Sequence, residues 1–95
     1  ENLRDVQVLD VREADEYDGP LGHIPGAVHI PLGALAERAD EVNLKVPVVT
    51  VCRAGARSAQ ATVLLKRAGL KDVANLSGGM LRWRDRNYPV VGGVN

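Results

Sequence analysis

The residues best suited to chemistry stand in one short stretch, Cys52-Arg53-Ala54-Gly55-Ala56-Arg57-Ser58. A Val-rich run, Pro47–Cys52, delivers the thiol, and a helix is predicted to begin about six residues later. Small residues between them let the backbone curl, so that successive N–H groups point inward as an anion cradle at a helix start. A thiol in such a cradle has a lowered pKa, and Arg53 and Arg57 add positive potential. The stretch predicts a nucleophilic thiolate whose loop also holds an anionic group on the sulfur.

The alternative is a structural cysteine. Cys52 is the chain's only cysteine, and a lone cysteine at the end of such a strand is most often a small buried hydrophobic side chain. Two basic residues and a glycine within five positions favour the nucleophile instead. One cysteine excludes an intramolecular disulfide and a cysteine-based zinc site. His23 and His29 lack carboxylate partners on a helix, so we expect neither a metal nor another cofactor.

Short apolar runs alternate with segments of helical spacing along the 95 residues. A strand followed by a helix, repeated, favours a parallel sheet whose ligands bind at the carboxyl ends of the strands. We expect one α/β domain over 1–95: an open, mainly parallel sheet of four to five strands with helices on both faces. Strands are predicted at 6–11, 27–31, 47–52 and 72–76, a short acidic turn at 13–17, and helices at 32–42, 58–68 and 79–87, the last capped by Ser77 and stopped by Pro89.

The charge is balanced, with 12 basic and 12 acidic side chains. A balanced charge argues against a surface built for nucleic acid or anionic lipid. No apolar run approaches the ~18–20 residues of a membrane span. We therefore expect a cytoplasmic protein with no nucleic-acid or membrane partner.

Four segments together resemble the rhodanese family of sulfurtransferases. They follow in the family's order: Asp10-Val11-Arg12, Gly22–Ala27, Cys52–Ser58, and Ser77–Met80 with Trp83. The resemblance implies that Cys52 takes the outer sulfur of a small anionic donor such as thiosulfate and expels sulfite. The resulting persulfide, stabilised by the loop N–H groups, would pass its sulfur to a thiol or to cyanide.

Four further residues are candidates for the wall of this site. Asp10 and Arg12 end a strand, although an ion pair with Asp10 capping a loop is the favoured interpretation. Gly78 and Gly79 would let the backbone approach the cysteine loop. His23 stands in a turn, where a turn-fixing hydrogen bond is favoured over a role as base.

Two alternatives and one departure from the family pattern stay open. A cysteine phosphatase would place Arg six positions after Cys; here that position is Ser58, and Arg57 stands five after, which favours sulfur over phosphate. A non-catalytic or sulfur-carrier module, serving a fused or partner enzyme, is the second alternative. Family domains carry a further strand and helix before the first strand here, where only Glu1 to Asp5 stand. We expect the domain to lack them, or the tail 88–91 to supply an edge strand.

Overall fold

Four parallel strands form the sheet in the computed structural model, which describes residues 6–43 and 45–94. Their order across the sheet is β2-β1-β3-β4, and each strand is shorter than its predicted run. The register sets Asp10 beside Val51 and Thr50 beside Asn75, so three strands end at one edge. The strands are β1 Gln7–Asp10, β2 Val28–His29, β3 Val48–Val51 and β4 Val73–Asn75.

Helices connect the strands and confirm the predicted fold class. None of those in the described ranges is both long and apolar enough to cross a membrane. The helices are α1 Ala14–Tyr17, α2 Leu32–Arg38 with a 3-10 turn Ala39–Glu41, α3 Ala56–Arg67 and α4 Gly79–Asp85.

One helix start and one helix cap differ from the prediction, and glycine explains both. Helix α3 begins at Ala56, earlier than predicted, because Gly55 takes a φ of 118° and turns the chain directly into the helix. The prediction of Ser77 as the cap of α4 is wrong. Gly78, at φ 81°, holds the cap position, and no side chain caps that end.

The sheet is covered on both faces, because neighbouring residues of a strand point to opposite sides. On one face Leu9 of β1 belongs to a buried cluster with Leu35 of α2 and Leu65 of α3. On the other face Val8 belongs to a cluster with Trp83 of α4. The loop that begins at Cys52 follows β3 at the carboxyl edge of this sheet.

The tail does not supply an edge strand, so that prediction is wrong. Val91 instead forms one antiparallel bridge with His23, with N–H to carbonyl distances of 3.0 and 2.8 Å. Trp83 anchors the tail by donating from Nε1 to the Pro89 carbonyl oxygen at 2.7 Å. The predicted loss of an N-terminal strand and helix concerns residues 1–5, which lie outside the described residues, and stays a prediction.

Candidate active site

The Cys52 sulfur lies inside the curled loop that follows β3. Its side chain is 1 % exposed. The N–H groups of Gly55 and Ser58 point at the sulfur, with nitrogen–sulfur distances of 3.0 and 3.3 Å. The Ser58 hydroxyl oxygen is 3.4 Å from the same sulfur. Two N–H groups thus point at the sulfur and a hydroxyl group lies beside it, which is the environment that a sulfur anion requires.

These hydrogen bonds decide the ionisation of the thiol. Burial raises the pKa of the Cys52 thiol, but hydrogen bonds from the Ser58 hydroxyl and from loop N–H groups lower the pKa by more. The result is a pKa below that of an ordinary cysteine. The N–H groups belong to Ala54, Gly55 and Ser58.

The two arginines play smaller parts in lowering this pKa than their sequence positions indicate. Arg57 is 33 % exposed and makes a bidentate ion pair with Glu16, at 2.5 and 2.8 Å. Its charge still interacts with Cys52, but more weakly than with Glu16. Arg53 directly follows Cys52 in the chain and is exposed. Arg57 therefore frames the loop, and Arg53 is an exposed cation next to it.

Glu16 is a site-supporting residue that the sequence did not reveal. Its carboxylate accepts from Arg57, which is the largest cause that lowers the pKa of Glu16 to about 2. The same carboxylate accepts the Glu13 N–H at 3.1 Å and so fixes the start of α1. The Glu13-to-Glu16 spacing could have indicated the helix start. Nothing in the spacing could have indicated a partner 41 positions away.

Gly79 brings α4 into backbone contact with the loop. The Met80 N–H donates to the Cys52 carbonyl oxygen at 2.8 Å, and the Leu81 N–H donates to the Arg53 carbonyl oxygen at 3.0 Å. A Cβ on Gly79 would stand 2.6 Å from that Arg53 oxygen, closer than a side chain tolerates. The close approach predicted for the glycine pair is thus present, and it fixes the carbonyl side of the loop.

Asp10 and Arg12, two of the candidates for the wall of the site, form a buried ion pair. They are 0 % and 1 % exposed, and their closest nitrogen–oxygen distance is 2.7 Å. Arg12 also donates to the carbonyl oxygens of Glu16 and Gly22, at 3.1 and 2.8 Å. The favoured ion-pair interpretation agrees with this geometry. Both residues tie β1 to the segment that carries α1.

Asn75 is the second residue that the sequence did not reveal. It ends β4, beside the carboxyl end of β3. Its side-chain oxygen accepts from the Ser58 hydroxyl, and its amide nitrogen donates to the Gly55 carbonyl oxygen at 3.2 Å. The residue stands in the short predicted strand 72–76, where an asparagine gives no signal of contact with a loop 20 positions earlier.

The histidines have structural partners. His23 contacts the Tyr17 carbonyl oxygen through Nδ1 at 3.1 Å, which fits the predicted turn-fixing bond. His29 contacts the Arg12 carbonyl oxygen through Nε2 at 2.7 Å, and both rings stack on Tyr17. Within 6–43 and 45–94, no three His, Cys, Asp or Glu side chains are grouped to hold a metal ion.

Comparisons with known proteins agree with this geometry. The family model of the Rhodanese-like domain matches residues 1–86. A putative sulfur carrier protein of Bacillus subtilis, YrkF, is 44 % identical, with 82 % of this chain and 41 % of that protein covered. A sulfurtransferase of Allochromatium vinosum is 37 % identical, with 95 % and 82 % covered. The crystal structure of a rhodanese-related protein from Thermoplasma volcanium superposes with a TM-score of 0.87 at 33 % identity, covering 95 % of this chain and 87 % of that one.

The chain spans 41 %, 62 % and 39 % of the length of three of the curated relatives that it matches, so related domains also stand within longer proteins. The family match runs from the first residue through the whole of α4. It therefore includes every strand of the sheet and the complete cysteine loop. The chain belongs to the family of rhodanese-like domains.

Proposed function

We propose that this domain is a sulfurtransferase that carries sulfur as a persulfide on Cys52. The observation that supports this most directly is the pair of loop N–H groups at 3.0 and 3.3 Å from the sulfur. They stabilise the thiolate before reaction, and the same curled loop offers donors to the charged outer sulfur afterwards. No base is needed, because the hydrogen bonds themselves favour the thiolate.

The proposed half-reaction is a displacement at sulfur. The Cys52 thiolate attacks the outer sulfur of a donor such as thiosulfate and forms a new S–S bond. The S–S bond of the donor breaks, and its electron pair leaves with sulfite. Charge balances, since a thiolate and a dianionic donor become a persulfide anion and sulfite dianion. Arg53, which follows Cys52 and is exposed, attracts the dianion.

The second half-reaction returns the thiolate. A thiol or cyanide attacks the outer sulfur, takes it, and leaves the electron pair of the broken bond on the Cys52 sulfur. The chain has no second cysteine to do this within the molecule. An outside acceptor therefore completes the cycle, and the kinetics are ping-pong.

The short loop favours sulfur transfer over phosphate hydrolysis. The Ser58 N–H, six positions after the cysteine, reaches back to the cysteine sulfur itself at 3.3 Å. A loop closed this tightly directs its donors at one sulfur atom. A phosphatase needs its donors spread around the oxygens of a tetrahedral anion.

Steady-state kinetics test the proposal. We expect thiocyanate to form from thiosulfate and cyanide, with parallel lines in double-reciprocal plots as both substrates are varied. Cys52→Ser is expected to abolish the product. A Cys52→Ser variant that keeps full thiocyanate production would contradict the proposal, as would hydrolysis of an aryl phosphate without any sulfur transfer.

A sulfur carrier is the second candidate function, and the similarity to the Bacillus subtilis protein favours it. As a carrier, the domain would receive sulfur from a fused or partner enzyme and would turn over free thiosulfate negligibly. The discriminating measurement compares the loading rate from thiosulfate with the loading rate from a persulfidated protein thiol. Faster loading from the protein donor by at least tenfold would favour the carrier.

A further inference from the structure

The Ser58 hydroxyl stands among three acceptors with one proton to give. Its oxygen lies 3.4 Å from the Cys52 sulfur and 3.2 Å from the Gly55 carbonyl oxygen. It also donates to the side-chain oxygen of Asn75. A serine hydroxyl carries a single donor hydrogen. The sulfur can therefore accept this hydrogen only when neither oxygen does.

The orientation of Asn75 is fixed by its second hydrogen bond. Its amide nitrogen donates to the Gly55 carbonyl oxygen at 3.2 Å. Turning the amide over would set its oxygen against that carbonyl oxygen, leaving two acceptors with no hydrogen between them. Asn75 therefore presents an acceptor to Ser58 and competes with the sulfur for the hydroxyl hydrogen.

We propose that Asn75 is a positioning residue that holds the Ser58 hydroxyl hydrogen away from the Cys52 sulfur and so controls how readily the thiol ionises. The proposal deepens the sulfur-transfer function proposed above. While the thiol is neutral, the Ser58 hydroxyl donates its hydrogen bond to Asn75. Once the sulfur is charged it becomes the stronger acceptor, and the hydroxyl turns toward it at the expense of the Asn75 bond.

The competition between Asn75 and the Cys52 sulfur for the hydroxyl hydrogen makes the thiolate more nucleophilic toward the sulfur of a donor. Among thiolates, nucleophilicity falls as the thiol becomes more acidic. A loop that donated every available hydrogen would yield an abundant but sluggish thiolate. Because the hydroxyl must give up its bond to Asn75 before it can donate to the sulfur, Asn75 keeps the sulfur more basic, while the N–H groups of Gly55 and Ser58 still favour ionisation.

A purely structural role for Asn75 predicts the opposite sign. Asn75 links β4 to the loop, and if this link merely kept the N–H groups aimed, its loss would make the thiolate harder to form. In the competition, its loss frees the hydroxyl for the sulfur and makes the thiolate easier to form. The charged side chains on the elements around the sulfur stay the same in both cases: Asp10 and Arg12 after β1, Glu16 in α1, Arg53 in the loop, Arg57 in α3 and Arg82 in α4.

The test is the pH profile of Cys52 alkylation by iodoacetamide, in which only the thiolate displaces iodide. We expect Asn75→Ala to raise the rate on the acid side of the profile about threefold, and Ser58→Ala to lower it about tenfold. Adding Asn75→Ala to Ser58→Ala is expected to change nothing further, because Asn75 acts through the hydroxyl. Gln60→Ala, an exposed amide of α3, is the matched control and should follow the wild type.

An unchanged or slower alkylation rate for Asn75→Ala would overturn the proposal. So would an Asn75→Ala effect in the Ser58→Ala background as large as the effect in the wild type. Asn75→Asp gives a second check, because its carboxylate accepts the hydroxyl hydrogen more strongly. It should slow alkylation more in the wild-type background than in the Ser58→Ala background, where only repulsion by the new charge remains. Equal slowing in both backgrounds, or a faster Asn75→Asp variant, also contradicts the competition. The assay contains no sulfur donor, so its outcome is independent of whether thiosulfate loads the protein.

Discussion

At the scale of single residues, the lowered pKa of the Cys52 thiol comes from hydrogen-bond donors more than from nearby cations. The sequence predicted a lowered thiol pKa and a curled loop, since both follow from adjacent residue types. It overestimated the contribution of the arginines to the lowered thiol pKa, because the ion pair between Arg57 and Glu16 forms only in the folded chain. It could not reveal Asn75 either, which reaches Ser58 from another strand. Partners brought together by folding leave no local pattern to read.

Gly79 gives a residue-scale prediction. Gly79→Ala sets a Cβ 2.6 Å from the Arg53 carbonyl oxygen at a φ of 55°, so either the loop or α4 must shift. We expect a loss of about 2 kcal/mol or more in the free energy of unfolding, together with slower alkylation of Cys52. Urea unfolding and iodoacetamide kinetics measure the two effects.

Gly33→Ala is the matched control, since Gly33 lies in α2 with open space around its Cβ position. It should leave alkylation unchanged and stabilise the fold by up to about 1 kcal/mol. Equal behaviour of the two alanine variants would contradict the close packing assigned to Gly79.

At the scale of elements, the site is formed where the ends of several strands and helices meet. The loop after β3, the start of α4 and the end of β4 meet around one sulfur, and α1 joins them through Glu16 and Arg57. The order of strands and helices was predictable from alternating apolar runs. The start of α3 and the cap of α4 were not, because Gly55 and Gly78 take a positive φ at these two helix ends, which no local capping pattern indicated.

The link between α1 and α3 gives an element-scale prediction. Because the pKa of Glu16 falls from 4.5 to about 2 on folding, its carboxylate stabilises the folded state above about pH 4.5. That contribution is lost as the pH falls toward 2. We expect Glu16→Gln to destabilise the protein by about 1 kcal/mol at neutral pH, since the pair is partly exposed.

Urea unfolding at neutral pH and at acid pH measures this difference, which should shrink as the acid limit is approached. Glu41→Gln breaks the exposed Arg38–Glu41 pair and serves as the control, expected to leave the unfolding midpoint unchanged. A Glu16→Gln effect that stays constant down to the acid limit would show that the ion pair is not its cause.

At the scale of the whole molecule, a sheet with apolar clusters on both faces leaves its carboxyl edge as the place for chemistry. A net charge of +0 gives no hint of the local site, whose donors are mostly backbone N–H groups and carry no formal charge. The family, the fold class and the reactive loop were therefore accessible from the sequence. The contacts of Glu16 and Asn75 with the loop residues could be seen only in the folded structure.

The central claim is that Cys52 stores sulfur covalently, and one intact-mass measurement tests it most directly. The protein is incubated with thiosulfate, freed of excess donor, and weighed before and after addition of cyanide. We predict a gain of one sulfur atom on the wild type, its removal by cyanide with release of thiocyanate, and no gain on Cys52→Ser. A wild-type protein that stays unmodified with thiosulfate and with a persulfidated thiol donor, or a gain that persists in Cys52→Ser, would contradict the account.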